Sequence, residues 1–521
     1  MIPAMIVVPD SSAVTTGNVA DLVRAAADRD GAKSALLFRE TALTWAELDA
    51  ATDAVAAGLL GLGLAPGDRV GILLGNTPDF PAAYFGALRA GLVAVPLNTG
   101  YTRDELAHAL ADSGARALVT TASQVGTAQV LAAEIESLEH LVVAASDTAP
   151  PGASTFDALL AGGRAAGRVQ AIGGGEDLAV VLYTSGTSGR PRGAMLPHRA
   201  LLANLDQGAR IEPPVVAPDD VVLLVLPLFH VYGLNAALGA VARQAATGVL
   251  IERFDPVDTL AAVRRHGVTS LVGAPPMYVA WSMLPDVGDA FSTVRVALSG
   301  SAPLPPSVLH RVLDTTGHHV FEGYGLTETS PVLTTTLMSK VAKPASIGRP
   351  IPGVELKLVD ESGAEVEDGD PGEIVVRGDN VFLGYWPDAV DGPDADGWFA
   401  TGDVALADQD GDLQLVDRRR EMVLVSGFNV YPREVEDVLL AHPDIDDAAV
   451  LGIAHPYTGE SVKALVVLRL GARLSADDVI GHCARSLARF KCPTAVEFLT
   501  DLPHSATGKV SKGRLRERDA S

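Results

Sequence analysis

The sequence predicts an α/β protein with a large N-terminal domain of βα-layered sheets, a small antiparallel barrel-like unit and a small α+β C-terminal domain. Three observations predict this fold class. Helical and strand-like patterns alternate from residue 44 to residue 348, alternating polar and apolar residues follow residue 354, and a run of charged residues at 417–421 marks a boundary. A chain of 521 residues is long enough for several domains.

Two capping boxes open helices in the first third of the chain. In each, a threonine is followed three residues later by a glutamate, Thr44 by Glu47 and Thr102 by Glu105, so that the two residues cap each other's backbone N–H groups. Apolar runs at 69–74, 93–96 and 115–120 predict strands between the helices. Repeated βα units of this kind predict a parallel sheet covered by helices.

The middle of the chain divides into three kinds of segment. Residues 148–175 are rich in Gly, Ala and Pro and are expected to form a surface connection. A second βα series is expected to begin with the apolar strand at 178–182. Alternating runs at 354–358 and 373–377 then predict the antiparallel unit, and Asp, Pro and Gly at 387–397 predict a turn-rich loop.

Beyond residue 417 the pattern becomes that of an independent α+β unit, of a plausible size for a domain. Its predicted elements are helices at 432–441 and 476–487 and strands at 448–453 and 462–470. The predicted domains are therefore residues 1–417 and 418–521.

Composition and charge limit the partners and the cellular compartment that the protein can have. The net charge of −24 argues against a nucleic-acid partner, because binding a phosphate backbone requires a basic surface. Only Cys483 and Cys492 are present, which fits a reducing, cytoplasmic compartment and buried structural cysteines. The first eight residues lack a basic flank, and no apolar run reaches the length of a membrane span. Peripheral contact with a membrane stays open.

One stretch, YTSGTSGRPRG at 183–193, has a composition suited to binding phosphate groups. Its glycines allow a close backbone approach, and its hydroxyls, N–H groups and arginines can contact oxyanions. It follows the predicted strand at 178–182, so it should leave the carboxyl edge of a sheet. A Walker loop requires Lys after its last glycine, and here Gly189 is followed by Arg190 and Pro191, which excludes that type of loop.

The stretch resembles the signature of the adenylate-forming enzymes, the superfamily of acyl-CoA synthetases, luciferases and peptide-synthetase adenylation domains. Further motifs follow in the order of that family: LPLFH at 226–230, SGSAPL at 299–304, FEGYGLTE at 321–328 and WFATGD at 398–403. One departure is Arg192, where the family usually has Lys. The resemblance covers nearly the whole chain.

The resemblance implies roles for individual residues. Tyr324 is expected to stack on adenine, Thr327 to contact the α-phosphate, and Asp403 with Arg418 to bind the ribose. Glu328 and Thr184 are expected to hold Mg²⁺. The expected ATP- and CoA-binding residues are Thr184, Ser185, Gly186, Thr187, Ser188, Gly189, Arg192, Gly300, Ser301, Ala302, Tyr324, Gly325, Thr327, Asp403, Arg418 and Gly427.

The C-terminal motifs imply a mobile domain. SGFNVYP at 426–432 is similar to the strand beside the pantetheine tunnel, which assigns Gly427 to CoA. PHSATGK at 503–509 resembles the terminal motif whose lysine, here Lys509, reaches the acyl carboxylate and the α-phosphate. Arg420 falls at the hinge position of the family. The four predicted catalytic residues are thus Lys509, Glu328, Thr184 and His230.

His230 closes the LPLFH motif, whose histidine borders the acyl pocket in the family, although a lone histidine after an apolar strand is also common as a packing residue. The residues that follow it are small: Gly233, Ala236, Ala237, Gly239 and Ala240. They are expected to leave volume for an alkyl chain, while close helix packing would use the same residues.

The predicted function is an AMP-forming acid–thiol ligase, an acyl-CoA synthetase that uses ATP, Mg²⁺ and CoA. The leading substrate is a fatty acid of medium to long chain. The alternatives are an aryl or branched carboxylic acid, an acyl-AMP ligase that loads a carrier protein, a luciferase-like oxygenase, and an inactive nucleotide-binding regulatory homologue.

Overall fold

The structure is a computed structural model that describes residues 16–184, 191–339, 341–367, 369–418, 421–425, 428–455, 459–487, 489–504 and 508–520. Helices and strands alternate in its first part. In chain order they are α1 (Asp21–Asp30), β1 (Ser34–Phe38), β2 (Thr41–Thr44), α2 (Trp45–Gly61), β3 (Arg69–Ile72), α3 (Asp79–Arg89), β4 (Val93–Pro96), α4 (Arg103–Ser113), β5 (Ala115–Thr121), α5 (Val125–Glu134), β6 (His140–Ala144), β7 (Ala153–Thr155), α6 (Phe156–Arg164), β8 (Leu178–Thr184) and β9 (Arg192–Pro197).

Local capping signals explain where α2 and α4 begin. The hydroxyl oxygens of Thr44 and Thr102 accept from the backbone N–H groups of Glu47 and Glu105, and each glutamate accepts in return from the threonine N–H. Gly114 ends α4 in the left-handed conformation, with φ of 61°, which favours glycine. Both predicted capping boxes are confirmed.

The first sheet has the strand order β7-β6-β5-β3-β4-β8-β9 within the described residues. Its pairs are parallel except for β8 and β9, which are antiparallel neighbours. Two expectations were wrong here. The strand β8 that leads into 185–190 completes the first sheet and does not start the second. Residues 148–175 also contain β7 and α6, and α6 packs against α2.

The second part of the chain forms a nine-stranded sheet, counted over the described residues, in the order β16-β15-β14-β13-β12-β10-β11-β1-β2. Its elements are α7 (His198–Ala209), β10 (Val221–Leu224), a π-helix (Tyr232–Gly239), α8 (Ala240–Gln244), β11 (Thr247–Leu250), α9 (Pro256–His266), β12 (Ser270–Gly273), α10 (Pro275–Trp281), α11 (Val287–Ala290), a 3₁₀ turn (Phe291–Thr293), β13 (Val296–Ser299), α12 (Pro306–Thr316), β14 (Val320–Gly325), a 3₁₀ turn (Thr327–Thr329), β15 (Val332–Thr335) and β16 (Arg349–Pro350). The amino-terminal strand β1 joins this sheet parallel to β11.

The predicted antiparallel unit is present after β16. It is a curled sheet of β17 (Glu355–Val359), β18 (Gly372–Arg377), β19 (Phe399–Ala407) and β20 (Leu413–Arg418). A continuous apolar core, from Val19 to Leu413, connects this sheet with the two larger ones.

The C-terminal unit has a core of its own. Its elements are β21 (Val423–Val425), β22 (Phe428–Val430), α13 (Pro432–Leu440), β23 (Ile445–His455), β24 (Gly459–Leu468), α14 (Ala476–Cys483), a 3₁₀ turn (Arg489–Lys491), β25 (Ala495–Leu499) and α15 (Lys512–Ala520). Cys483 and Cys492 are buried in this core, and burial raises the pKa of the Cys483 thiol to about 11. The α/β fold class is confirmed, while the division between residues 417 and 418 stays a prediction.

No helix among the described residues combines the length and the apolar character that crossing a bilayer requires.

Candidate functional site

The predicted phosphate loop, meaning residues 184–190 of the stretch 183–193, lies between two antiparallel strands. Thr184 ends β8 opposite Arg192, the first residue of β9, so the loop leaves the carboxyl end of β8 as expected. Its residues Ser185, Gly186, Thr187, Ser188 and Gly189 lie outside the described residues. The hydroxyl oxygen of Thr184 is shielded from solvent and has no hydrogen-bond partner within the described part of the chain. An unsatisfied hydroxyl at this position is suited to a ligand atom.

Glu328 and Arg192 both contact Tyr385. Glu328 is buried in the 3₁₀ turn after β14, and its Oε1 accepts from the Tyr385 hydroxyl at 2.6 Å. The guanidinium of Arg192 lies over the Tyr385 ring, 3.8 Å from its centroid, and its Nη2 pairs with Asp391 Oδ2 at 2.7 Å. Stacking on an aromatic face suits a planar guanidinium better than an ammonium, which gives a reason for Arg at a position where the family usually has Lys.

Sequence reasoning missed Tyr385. The residue is held by backbone pairing, since Met195 N–H donates to Gly384 O at 3.0 Å and Trp386 N–H donates to Gly193 O at 2.8 Å. Burial, and then the neighbouring Glu328 carboxylate, raise the pKa of Tyr385 above its ordinary value. The hydroxyl therefore stays protonated and donates to Glu328 at neutral pH.

The predicted base and ribose residues meet where β14 and β19 approach each other. The Tyr324 hydroxyl donates to Asp403 Oδ2 at 2.7 Å, and both residues are buried. Strand register places Arg418 opposite Asp403. Thr327 begins the 3₁₀ turn two residues after Gly325. An added Cβ at Gly325 would lie 1.8 Å from the Pro331 carbonyl oxygen. Close backbone packing thus requires this glycine.

The loop after β13 contains Gly300, Ser301 and Ala302. The Tyr232 ring covers Gly300 so closely that an added Cβ would lie 2.8 Å from ring atoms. Ser301 adopts φ of 74°, a conformation that costs energy for a residue other than glycine and that concentrates at functional sites. This loop runs beside β14, whose Glu322 is the register partner of Ser299.

Glu322 is a second residue that sequence reasoning passed over. Its Oε2 accepts from the Leu304 N–H at 3.0 Å, and burial raises the pKa of its carboxyl to about 7. Three shielded polar atoms have no hydrogen-bond partner among the described residues: Oε1 of Glu322, Oγ of its register partner Ser299, and Oη of Tyr232, whose ring covers Gly300. Buried polar atoms without partners are costly, so this cluster is suited to a polar ligand.

His230 lies two residues before the π-helix and stays neutral. Burial lowers the pKa of its imidazole to about 4. Its Nδ1 accepts from the Tyr232 N–H at 3.2 Å, which leaves the ring proton on Nε2 in the neutral form. His230 can therefore donate one hydrogen bond at neutral pH, and it does not supply a positive charge.

The expectation that the small residues after His230 leave volume for an acyl chain was wrong for both glycines. An added Cβ at Gly233 would lie 2.3 Å from the Pro227 carbonyl oxygen, and one at Gly239 would lie 2.7 Å from Asn235 Oδ1. Ala237 is buried. These residues allow close packing around the π-helix.

The C-terminal residues are only partly described. Gly427 and Arg420 lie outside the described residues, and so does the stretch 505–507. Lys509 is exposed and follows Gly508, which has φ of 83° and lies against Pro276 at the start of α10. The lysine motif thus approaches the large domain beside the carboxyl end of β12.

Comparison with known proteins gives two family matches. The model described as "AMP-binding enzyme" matches residues 23–386, and the model described as "AMP-binding enzyme C-terminal domain" matches residues 434–509.

Individual proteins resemble the chain over nearly its whole length. A long-chain-fatty-acid–CoA ligase of Yersinia pestis is 36% identical over 509 residues, with 92% of this chain and 90% of its own length covered. A feruloyl-CoA synthase of an Amycolatopsis species is 38% identical over 483 residues, covering 92% and 94%. Among solved structures, ATP-bound MatB from Rhodopseudomonas palustris has a TM-score of 0.87 and 34% identity, covering 96% of this chain and 99% of its own.

Proposed function

Because the chain belongs to the family of AMP-binding enzymes, we propose that it is an ATP-dependent fatty acyl-CoA ligase. It activates a medium- to long-chain fatty acid as acyl-AMP and then transfers the acyl group to CoA. The observation that carries this proposal is the contact of Tyr385 with both Glu328 and Arg192, where Arg192 begins the strand after the phosphate loop.

The first half-reaction joins two anions. A carboxylate oxygen of the acid attacks the α-phosphorus of ATP, the bond from that phosphorus to the β-phosphate bridging oxygen breaks, and pyrophosphate leaves. Such chemistry depends on positioning and on neutralising charge. Arg192 and Lys509 are the proposed cations, and Lys509 reaches the reacting groups from the C-terminal domain.

Thr184 and Glu328 form a donor set that fits Mg²⁺. One contributes a shielded hydroxyl without a partner in the described residues, and the other a buried carboxylate, and Mg²⁺ takes hard oxygen ligands together with phosphate oxygens. Bound there, the ion would neutralise phosphate charge. Tyr385 keeps the Glu328 side chain oriented through its hydrogen bond.

The nucleoside is assigned to the residues at β13, β14 and β19. Tyr324 offers an aromatic face for adenine, while Asp403 accepts from ribose hydroxyls with Arg418 opposite it. Ser299 and Glu322, whose shielded oxygens lack partners in the described chain, are suited to polar atoms of the base.

In the second half-reaction the CoA thiol loses its proton to solvent, and its sulfur attacks the acyl carbon. The bond from that carbon to the phosphate oxygen breaks, and AMP leaves with the electron pair of that bond. Gly427 is assigned to the pantetheine path. Lys509 and Gly427 belong to the same domain, so we propose that this domain rotates about Arg420 between the two half-reactions.

An aryl acid is the second candidate substrate. The feruloyl-CoA synthase of the Amycolatopsis species is 38% identical to this chain. An added Cβ at Gly233 or Gly239 would meet neighbouring atoms, so these glycines give no argument for an alkyl chain.

The test is pyrophosphate release from ATP with octanoate, laurate, palmitate and ferulate, measured with and without CoA. We expect acid-dependent release with the fatty acids, and a thioester product only when CoA is present. If ferulate were the only one of these acids to cause pyrophosphate release, the proposed substrate would be an aryl acid and not a fatty acid. Release that never leads to a CoA thioester would contradict the CoA-ligase assignment.

A further inference from the structure

Helix α4 contacts both ends of the predicted phosphate loop. On one side, Asp112 Oδ2 accepts from the Tyr183 hydroxyl at 2.6 Å, just before the loop. On the other side, His108 Nε2 lies 2.9 Å from the carbonyl oxygen of Pro191, just after the loop. A carbonyl oxygen can only accept, so His108 carries its proton on Nε2 and donates it here. The two residues are four apart and share one face of the helix.

The same end of α4 also contacts the segment that holds Glu328. The indole Nε1 of Trp386 donates to the carbonyl oxygen of Asp112 at 2.9 Å. Trp386 is the neighbour of Tyr385, whose hydroxyl donates to Glu328. The guanidinium of Arg69 stacks over the Trp386 ring, 5.5 Å from its centroid. Thus a single helix contacts three separate segments at the phosphate side of the site, through His108 and Asp112.

The environment of these residues argues that they are more than packing residues. Asp112 is exposed and His108 is only half-buried, so neither fills the core, and polar surface residues usually contribute little to stability. Tyr183, in contrast, is buried, and the His108 ring meets it edge-on at 5.9 Å between centroids. Burial and the hydrogen bond to Asp112 raise the pKa of Tyr183, so its hydroxyl remains a donor.

We infer that His108 and Asp112 are positioning residues that fix both ends of the phosphate loop relative to Glu328, and thereby set the affinity for the phosphates of ATP. The inference rests on the proposed function, because it takes the loop as the phosphate site. Each residue acts through Tyr183 or Pro191 and does not itself touch the nucleotide.

The test compares substitutions that remove each bond with substitutions that keep it. His108→Ala and Asp112→Ala remove the contacts, whereas His108→Gln can still donate to Pro191 and Asp112→Asn can still accept from Tyr183. Three quantities are measured on the full chain: the Kd for MgATP by calorimetry, the KM for ATP in acid-dependent ATP–pyrophosphate exchange, and the rate of thioester formation from supplied acyl-AMP and CoA.

We expect each alanine variant to raise the Kd and the KM for ATP roughly 3- to 10-fold, the size of losing one hydrogen bond. The rate from supplied acyl-AMP should not change, and the Gln and Asn variants should approach the wild type. His482→Ala is the matched control, because His482 Nε2 bonds a backbone carbonyl, that of Val438, at 2.8 Å in the C-terminal unit. It should leave the affinity for ATP unchanged.

Two outcomes would overturn the inference. One is an unchanged Kd for MgATP in both alanine variants. The other is an equal loss in both half-reactions together with a lowered Tm, which would indicate a structural role. Failure of the proposed function is a separate result: a wild-type protein that binds MgATP yet forms no acyl-AMP with any acid contradicts the ligase assignment, while the calorimetric comparison still decides the role of His108 and Asp112.

Discussion

The proposed nucleotide side and the proposed acyl side of the candidate site differ in what holds their residues in place. On the nucleotide side, polar side chains from distant segments contact each other, as Tyr324 does with Asp403 and Tyr385 with Glu328. On the proposed acyl side, the backbone is packed so closely that an added Cβ at Gly233 would lie 2.3 Å from the Pro227 carbonyl oxygen. On the first side the residue type is set by the hydrogen bonds that its side chain makes. On the second side it is set by the room available for a side chain. Mutations should therefore affect activity at Glu328 and Tyr385, and stability at Gly233.

The largest expected effect is that of Glu328→Ala. It should slow acyl-AMP formation by roughly 10²–10³-fold, the loss typical of removing one preorganised charge-stabilising contact. Single-turnover formation of acyl-AMP measures it, and Glu361→Ala, at an exposed glutamate, is the control. A wild-type rate in the Glu328 variant would remove this carboxylate from the mechanism and abolish the contrast between the two sides.

Glu322→Gln should stabilise the protein at high pH. The carboxyl has a pKa of about 7 in the folded protein, raised by burial from its ordinary value of 4.5, so ionisation opposes folding. Below pH 4.5 the variant and the wild type should have similar free energies of unfolding. The wild type should then lose stability as the pH rises from about 4.5 to 7, reaching a deficit of about 3 kcal/mol.

Urea unfolding of both proteins at pH 5 and pH 8 measures this difference. A difference between the two proteins that stays constant with pH would show that Glu322 is ionised at no cost in the fold.

Gly233→Ala should act on stability. The added methyl group would meet the Pro227 carbonyl oxygen, and overpacking of this kind costs about 1–3 kcal/mol. Activity should fall equally for octanoate and palmitate once the folded fraction is taken into account. Gly61→Ala, where an added Cβ has open space, is the matched control. Selective loss of palmitate activity would restore Gly233 as a residue that shapes the acyl pocket.

An effect smaller than that of Glu328→Ala is expected for Tyr385→Phe, which removes the hydrogen bond to Glu328 and keeps the ring under Arg192. Acyl-AMP formation should slow about tenfold, as for one hydrogen bond to a charged group. The Tm should change little. A loss as large as that of Glu328→Ala would mean that Tyr385 itself contacts the reacting groups.

Elements with a local signal were predictable from the sequence. The capping boxes at Thr44 and Thr102 gave the starts of α2 and α4, because capping is decided within four residues. Helix α6 was missed, since its two glycines read as a loop. In the structure an added Cβ at Gly163 would lie 1.9 Å from the Ala54 carbonyl oxygen, so that glycine permits close packing on α2. The need for this glycine comes from a tertiary contact, and the neighbouring sequence shows no pattern that indicates it.

The candidate site divides in the same way. Glu328, Tyr324 and Asp403 lie in motifs and could be singled out from the sequence. Tyr385 and Asp112 could not, because their contacts join residues 57 and 71 positions apart, and nothing in the neighbouring sequence marks them.

The pairing of β1 with β11 has a consequence for how the chain folds as it is synthesised. Leu36 lies beside Gly248 in a parallel register, so β1 leaves the ribosome long before its partner strand exists. Until residues 247–250 emerge, this apolar strand keeps an unpaired edge, which is the kind of surface that chaperones cover and that promotes aggregation. The first sheet, built from β3 to β9, can therefore be completed before the second, whereas β1 and β2 must wait for β11. A chain cut between β9 and β10 would keep the first sheet whole but would separate the edge strands β1 and β2 from the rest of the second sheet.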